Sequence, residues 1–521
     1  MAPIPLEPST NYVAVGLAGG HVVLSTFLIF EVGRSLYRSY RALGPTQDTR
    51  ERLTRRATLL PIFATLAAIS LLSAGYATRD YATLSYKVWA SQRDIKLPIR
   101  FYGQNGIFPL GENATQVHVT RWLSDTPLHL DAVEISAEKA RRFWWTQQID
   151  LGLISWSMLL AVEGRRRNIP LLWSYLALGQ LVSLSFAQNL FFVALILTPT
   201  PLPLLDYGTL PVSRYVRWKN AIFPPKPINW KPHVFLYFSI FTLNFAVLSA
   251  MPLLANTPSL KYLVLAARAL TYAPLALPNL IPVSWGVQHS HPHEAYATYT
   301  KLFKFISTAA FLLHARATIV GLAYNAPAAF EHRHSIHLPF DVERRSSLER
   351  ASGAFGRLLG ATADHPVVGG TGRDVLLSAL SIGLWAAVRA IDVSGVLAST
   401  IPLYELHRDD VDELLIEPAA SPAVKKRSKP KAITTGIHGT HEVDEKGSVR
   451  RRGRPRKSKD GEDAQYEPTP SEAASAAEGD SLPGGDHVVD YEATALAWGL
   501  TTVGGLGVGS AGVLGGECIA R

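Results

Sequence analysis

Two stretches gather the side chains best suited to chemistry. The run "QHSHPHEAY" supplies His289, His291, His293 and Glu294, and "EHRHSIHLPFD" supplies Glu331, His332, His334, His337 and Asp341. Imidazoles at that density can ligate zinc, iron or copper, or serve as pH-sensitive contacts in loops at a membrane surface. A single apolar segment, 301–324, separates the two clusters. As a spanning helix it puts them on opposite faces of a membrane, so a shared metal requires that segment to be re-entrant.

Ionisable groups inside apolar runs are the second source of candidates, because a charge in hydrocarbon is costly and is kept for a reason. Asp150 stands in "FWWTQQIDLGLISW", one turn after Gln147 and Gln148. A carboxyl held protonated in an apolar pocket can act as a general acid. The amide and hydroxyl groups Gln180, Ser183, Ser185, Gln188 and Asn189 of the next apolar run could face it across a short hairpin, or all of them could serve as interhelical hydrogen-bond glue. Glu31 closes "VVLSTFLIFEV" and can pair with Arg34 three residues on. Glu163 touches the cluster Arg165–Arg167 and reads as a border residue. His314 and Arg316 lie inside 301–324.

Other chemistries find no support. Cys518 is the only cysteine, which excludes an intrachain disulfide and any multi-thiolate metal site. The histidine spacings differ from the H-x3-H and H-x2-H-H sets of membrane di-iron desaturases and hydroxylases. No nucleotide-binding glycine loop, nucleophile elbow or zinc-protease helix motif is present. "VVGGTGRD", 367–374, reads as a loop leading into the next helix.

The elements that must position these residues are transmembrane helices. Of the 521 residues, 47% are hydrophobic and 18% charged, against about a quarter charged in soluble domains. A crossing needs about 20 apolar residues, and runs of that kind fall at 12–33, 57–77, 143–163, 170–198, 233–255, 260–283, 301–324 and 374–398. A ninth, 492–516, is weakened by its glycines, although small residues also permit close packing in membranes. The expectation is an all-α, polytopic bundle of seven to nine helices over 1–400, with a lumenal loop at about 78–142. The first eleven residues contain no Lys or Arg, so the first run reads as a retained helix rather than a cleaved signal.

Lys and Arg set the orientation. Seven arginines lie between Arg34 and Arg56 and none precedes the first run, so the N-terminus faces a lumen or the outside. Asn113 in Asn113-Ala114-Thr115 then lies on the lumenal side as a glycosylation acceptor. Simple alternation fails later, because it makes 199–232 lumenal despite Arg214, Arg217, Lys219, Lys226 and Lys231. Segment 260–283, with Arg268 and three prolines, could be kinked, re-entrant or interfacial.

Residues 401–490 are rich in Pro, Ser, Gly and charge and read as a disordered tail, followed by the Gly-rich apolar segment 491–521. Within the tail, Arg452-Gly453-Arg454-Pro455 is flanked by Arg450, Arg451, Arg456 and Lys457. Residues 450–459 resemble an AT-hook, in which an extended arginine enters a narrow A-tract minor groove. The proline that often precedes the first core arginine is replaced by Arg451. The same patch can contact anionic lipid or act as a nuclear-localisation signal. The helical body resembles multi-pass membrane proteins of filamentous fungi, a likeness that implies no activity. The partner implied throughout is the lipid bilayer, with DNA or anionic lipid as partners of the tail. The location expected is the endoplasmic reticulum or nuclear envelope, and no soluble cofactor is implied. The functional classes left open are a structural or interaction protein, a membrane enzyme acting on a lipid or isoprenoid, a small-molecule transporter, and a DNA tether. Convergence of Asp150, the fourth-run amides and Glu31 on one cavity would favour enzyme or transporter, and placement at separate helix seams would favour hydrogen-bond glue.

Overall fold

The computed structural model describes residues 10–42, 50–95, 97, 118–198, 226, 230–289, 292–333, 341–389, 391–404 and 491–519. The chain is helical as expected: α1 (Tyr12–Ala42), α2 (Arg50–Gln92), α3 (Val119–Asp125), α4 (Leu128–Glu138), α5 (Ala140–Leu159), α6 (Leu172–Leu181), α7 (Leu184–Leu197), α8 (Val234–Ala250), α9 (Leu260–Leu270), α10 (Ala273–Leu280), α11 (Tyr296–Asn325), α12 (Ser347–Leu359), α13 (Pro366–Arg389), α14 (Val393–Thr400) and α15 (Tyr491–Ile519). Among the described residues there are also two short antiparallel ladders, β1 (Trp230–Pro232) with β2 (Gly286–Gln288) and β3 (Phe330–Arg333) with β4 (Asp341–Arg344). It is an integral multi-pass membrane protein with a lipid-facing periphery.

Two ends of the bundle can be told apart by their polar contacts. One, the arginine face, holds Glu163, Arg167, Arg389, Glu517 and the C-terminus of α7. The other is fixed by Arg141, which binds Asp364 and reaches Asn325 at 3.5 Å, and by Tyr81 on the Leu128 carbonyl. Between them α5, prolonged by one π turn over Leu160–Gly164, forms the axis, and its residues Leu151, Leu153, Trp156 and Met158 are fully buried. At the edge, α1 leaves Phe27 and Phe30 more than half exposed, as a lipid-facing helix should.

Among the described residues six helices qualify by length and hydropathy to cross a membrane, namely α1, α2, α8, α11, α13 and α15, and the α9–α10 pair, bent by 57°, makes a seventh if it is one span. Packing alters that set in two places. α5 joins it, because it runs from Arg141 at one face to Glu163 at the other. α15 leaves it, because it folds back on itself at Gly505 (φ 76°). A Cβ on Gly512 would meet Leu500 at 3.3 Å, and one on Gly509 would meet the Ala497 carbonyl at 3.2 Å. Residues twelve apart in a straight helix are separated by about 18 Å. The two halves of α15 are therefore antiparallel, and both Thr494, on the Gly383 carbonyl, and Glu517, on Arg389, belong to the arginine-face half.

The run 170–198, expected as one crossing, is a second hairpin. It breaks at Val182–Ser183, where Ser183 adopts an extended backbone and its hydroxyl accepts from Phe186 N as the N-cap of α7. Tyr175 packs edge-on against Phe191 at 5.4 Å across the hairpin. Its start lies beside Gly164 through Leu172, and its end returns to Arg167, which donates to the Leu195 and Thr198 carbonyls. Seven segments then cross among the described residues: α1, α2, α5, α8, α9–α10, α11 and α13.

The stretch 367–374 differs from the loop expected. It is the first part of α13, whose glycines let it approach α2: a Cβ on Gly370 would meet that of Ala77 at 2.7 Å. Crossing α13 therefore runs over 366–389 rather than 374–398, and Asp374 is a helical, membrane-embedded carboxylate. Most of the tail, 405–490, lies outside the described residues, as do Arg452, Gly453, Arg454, Pro455 and Asn113.

Candidate functional site

The two hairpins meet at mid-depth. A Cβ on Gly152, near the centre of α5, would touch Leu184 at 3.1 Å and Leu506 at 3.2 Å. Those leucines are the first residues of the returning half of each hairpin. Two helix N-termini, each carrying partial positive charge and N–H groups that its own helix leaves without a partner, are thus brought to one level of the bundle.

Each N-terminus is capped from a crossing helix. Asp374 of α13 accepts the amide protons of Leu184 at 2.9 Å and Ser185 at 2.8 Å. Gln148 of α5 accepts that of Leu506 at 3.3 Å. The turn at Gly505 sits against His314 of α11, whose Nδ1 a Cβ there would meet at 2.6 Å. His314 in turn lies 5.4 Å from the Trp144 ring.

Asp150 belongs to the same level. It pairs with Arg268 of α9 at 3.2 Å, and Arg268 also interacts electrostatically with Asp374. Gln180, at the tip of α6, donates to the Arg268 carbonyl at 3.2 Å and to Thr271 at 2.7 Å, at the bend between α9 and α10. Asp150 and one of the amides expected to face it are therefore joined through Arg268 rather than by direct contact. The remaining amides line the α7–α13 seam: Asn189 donates to Ser381 at 2.9 Å. Neither polar atom of the Gln188 side chain, nor the Ser378 hydroxyl, bonds to another described residue, although all are buried.

On the opposite-face side of this level a cavity of about 600 Å³ opens between α5, α8 and α11. Gln147 and Leu313 line it nearest the central level, and Lys139, Tyr324 and Asn325 line it at the opposite-face ends of α5 and α11. Gln147 is the neighbour of Gln148, and Leu313 the neighbour of His314. One layer of residues therefore separates the cavity from the tip of α15.

The other candidates are placed as follows. Glu31 pairs with Arg34 at 3.7 Å on α1 and takes no part in the central level. Neither Glu31, Asp150 nor the amides of 170–198 line the cavity, so these groups do not converge on it and sit at separate seams instead. His289 lies 3.5 Å from Glu294 on the arginine face. His291, His334 and His337 lie outside the described residues, as do the side chains of His293 and His332. His289 and the backbone of His332 stand beyond opposite ends of the 30-residue α11, about 45 Å long, too far apart to ligate one ion. Among the described residues no three His, Cys, Asp or Glu side chains come together as a metal site.

On the arginine face, Lys231 of β1 is held below the usual lysine range by burial and by the nearby Arg165. The Arg165 guanidinium is bound to the Leu275 carbonyl. Sequence reasoning missed Asp374 and the role of Arg268. The aspartate was hidden by the glycines before it, and the arginine by a segment whose path was open. Comparison of the chain with family models, curated proteins and solved structures found no match.

Proposed function

We propose that this protein is a transporter that passes a small solute between the two faces of an internal membrane. The observation that carries the reading is the meeting of two re-entrant hairpins at Gly152 beneath a cavity open toward the opposite face. Discontinuous helices place N–H dipoles and unpaired polar groups at mid-membrane, where transporters bind their cargo. A scaffold has no need of them, and interrupting a helix in lipid is costly. The buried polar atoms of Gln188 and Ser378, unbonded to other described residues, suit a path that is hydrated or occupied by solute in some part of the cycle.

Orientation follows from the basic loops. With the 170–198 run re-entrant, 199–232 leaves and returns on the arginine face, together with 34–56 and Arg165–Arg167. The positive-inside rule makes that face cytosolic. The N-terminus and Asn113 then fall on the lumenal side, consistent with a location in the endoplasmic reticulum or nuclear envelope.

The test uses the near absence of cysteine. Ser510, fully buried in the returning half of α15, lies 2.6 Å from Ser155 of α5. In a Cys518→Ala background, Ser510→Cys is exposed to a membrane-impermeant maleimide on sealed vesicles, with Leu403→Cys as the labelled control. A transporter that opens toward the arginine face exposes this thiol slowly from that side. A thiol that stays unlabelled while the control reacts fully would show a static anchor.

A further inference from the structure

We infer that the cavity between α5, α8 and α11 binds an apolar organic acid, with its carboxylate on Arg316 and a hydroxyl or amide donor on Gln147. The inference deepens the transporter reading and rests on it for the claim that the bound acid is cargo.

Arg316 sits nine residues before the end of α11, about 13 Å along the helix from Asn325, and its side chain is exposed. It lines the cavity, and Nη1 donates to the Ser249 carbonyl at 3.1 Å. Among the described residues no carboxylate pairs with it. An arginine in a membrane-crossing helix is expected to face a cavity or a counter-charge; Arg316 has the cavity, and the counter-charge is left to a ligand. Glu138, the one acid in the lining, already pairs with Arg142 at 3.2 Å outside the lining set. Lys139 adds a second positive charge at the opposite-face end of α5 and makes no ion pair with a described residue, so the lining carries a net positive charge that attracts anions.

The second observation is Gln147. It is 3% exposed, it lines the cavity, and its Oε1 accepts no hydrogen bond from another described residue. A buried carbonyl left bare costs about 1–3 kcal/mol, and a ligand O–H or N–H removes that cost. Between these polar groups the lining is apolar and includes Phe143, Leu248 and Leu313. The volume, about 600 Å³, lies within the range of small-molecule sites, roughly 300–1,000 Å³. Few polar groups in an apolar cavity describe a carboxylate with a hydrocarbon body and one additional donor. They do not describe a sugar or a bare inorganic ion.

The test is equilibrium binding of radiolabelled 2-hydroxydodecanoate to the full chain in nanodiscs, with dodecanoate and dodecanol as competitors. Dodecanoate should compete, more weakly than the hydroxy acid, and dodecanol should fail. Arg316→Gln should weaken binding about tenfold or more. Gln147→Leu should erase the preference for the hydroxy acid while sparing dodecanoate. Arg373→Gln, outside the cavity on Ser73, should change nothing, and melting curves establish that each variant is folded. Competition by dodecanol equal to that of the acid, or full binding by folded Arg316→Gln, overturns the proposal. Binding without labelling of Ser510→Cys would leave a receptor cavity and remove the transporter. Labelling without binding would leave a transporter for another solute.

Discussion

Arg167 and Glu517 are 3.2 Å apart across 350 residues of chain, and both are buried. The contact joins the feet of the two hairpins. Arg167 also holds the Leu195 and Thr198 carbonyls at the end of α7, and Glu517, at the end of α15, is held by Arg389 of α13 at 2.8 Å. Glu163 completes the network by accepting from Arg166 at 2.8 Å and Arg167 at 3.1 Å. On the transporter reading, any opening on the arginine face parts some of these bonds.

Removing one partner of a buried pair leaves the other charge unpaired, which is worse than losing the pair. Glu517→Gln leaves Arg389 without its carboxylate and Arg167 with Glu163 alone, and should cost up to about 3 kcal/mol. The readout is thermal unfolding of the full chain in detergent. A melting temperature equal to that of the parent would mean that the network is not what ties the hairpins together.

The turn of α15 depends on Gly505. Its φ of 76° is strained for any residue with a Cβ, and that Cβ would sit 2.6 Å from His314 Nδ1. Gly505→Ala should therefore destabilise by about 2–4 kcal/mol, combining left-handed strain with overpacking. Gly499→Ala, in the same helix with open space around it, should be neutral or slightly stabilising. Equal melting temperatures for the two variants would refute the folded-back α15.

The helical membrane class could be read from residue types, because apolar runs of sufficient length have few other uses. The Glu31–Arg34 and Glu163–Arg166 border pairs could also be read, because they are local. The depth each run reaches could not. Nothing in "LWSYLALGQLVSLSFAQNLFFVALIL" reveals that Ser183 caps a new helix in mid-membrane, since hydropathy is continuous across the break. The glycines of 492–516 suggested a weak helix when judged by propensity. Packing reverses their meaning: they let α15 nest among α5, α11, α13 and α14, and 61% of its apolar window is buried against 6% for α1. Asp374 and Arg268 join Asp150 through contacts more than a hundred residues apart, which spacing cannot disclose. One signal was present, the unexplained Lys/Arg excess in 199–232, and it marked the run before it as one that does not cross.

The Asp150–Arg268 pair makes a prediction through coupling. Asp150→Asn and Arg268→Gln should each destabilise, since each leaves a charge without its partner. The double variant should cost less than the sum by about 1–3 kcal/mol. Additive losses would mean that Arg268 is balanced mainly by Asp374, and the mid-depth ion pair would lose its place in the site.

Acid should loosen the opposite face through His365, which lies just outside α13. Burial and the nearby Arg142 hold its imidazole below the usual value of 6.5. Its Nδ1 accepts from Val367 N at 3.3 Å, and its ring meets Tyr81 at 5.8 Å. Asp364, the residue before it in sequence, pairs with Arg141 at 2.6 Å. The folded chain thus binds fewer protons than the unfolded chain between the two pKa values, so stability rises with pH through that window. It is lost as pH falls below the unfolded value, about 6.5. Melting temperatures of the parent and His365→Asn, compared between pH 7.5 and pH 5, should show a shallower acid loss in the variant. Identical slopes would exclude His365 as the titrating group.

Seven crossings before residue 401 determine where the tail emerges. An odd number carries the chain from the N-terminal side to the arginine face. Two contacts agree: the Tyr404 carbonyl accepts from Lys304 in the arginine-face half of α11, and Thr494, just inside α15, binds the Gly383 carbonyl near the end of α13. Both ends of the 405–490 connection thus belong to the face that bears Arg165–Arg167. The nine Lys and Arg of 78–142 and the five arginines from Arg333 to Arg357 are assigned to the other side, exceptions to the charge rule of which α12 accommodates a part. There Arg350 donates to the Pro327 carbonyl at 3.1 Å and Arg357 to that of Asn325 at 3.3 Å. A tag inserted at about residue 440 should be cut by protease added to sealed microsomes, while a glycan on Asn113 is retained. A protected tag would require an even number of crossings and would return the 170–198 run to a full span. It would also remove the minor-groove motif from any contact with DNA, because a lumenal tail never meets it.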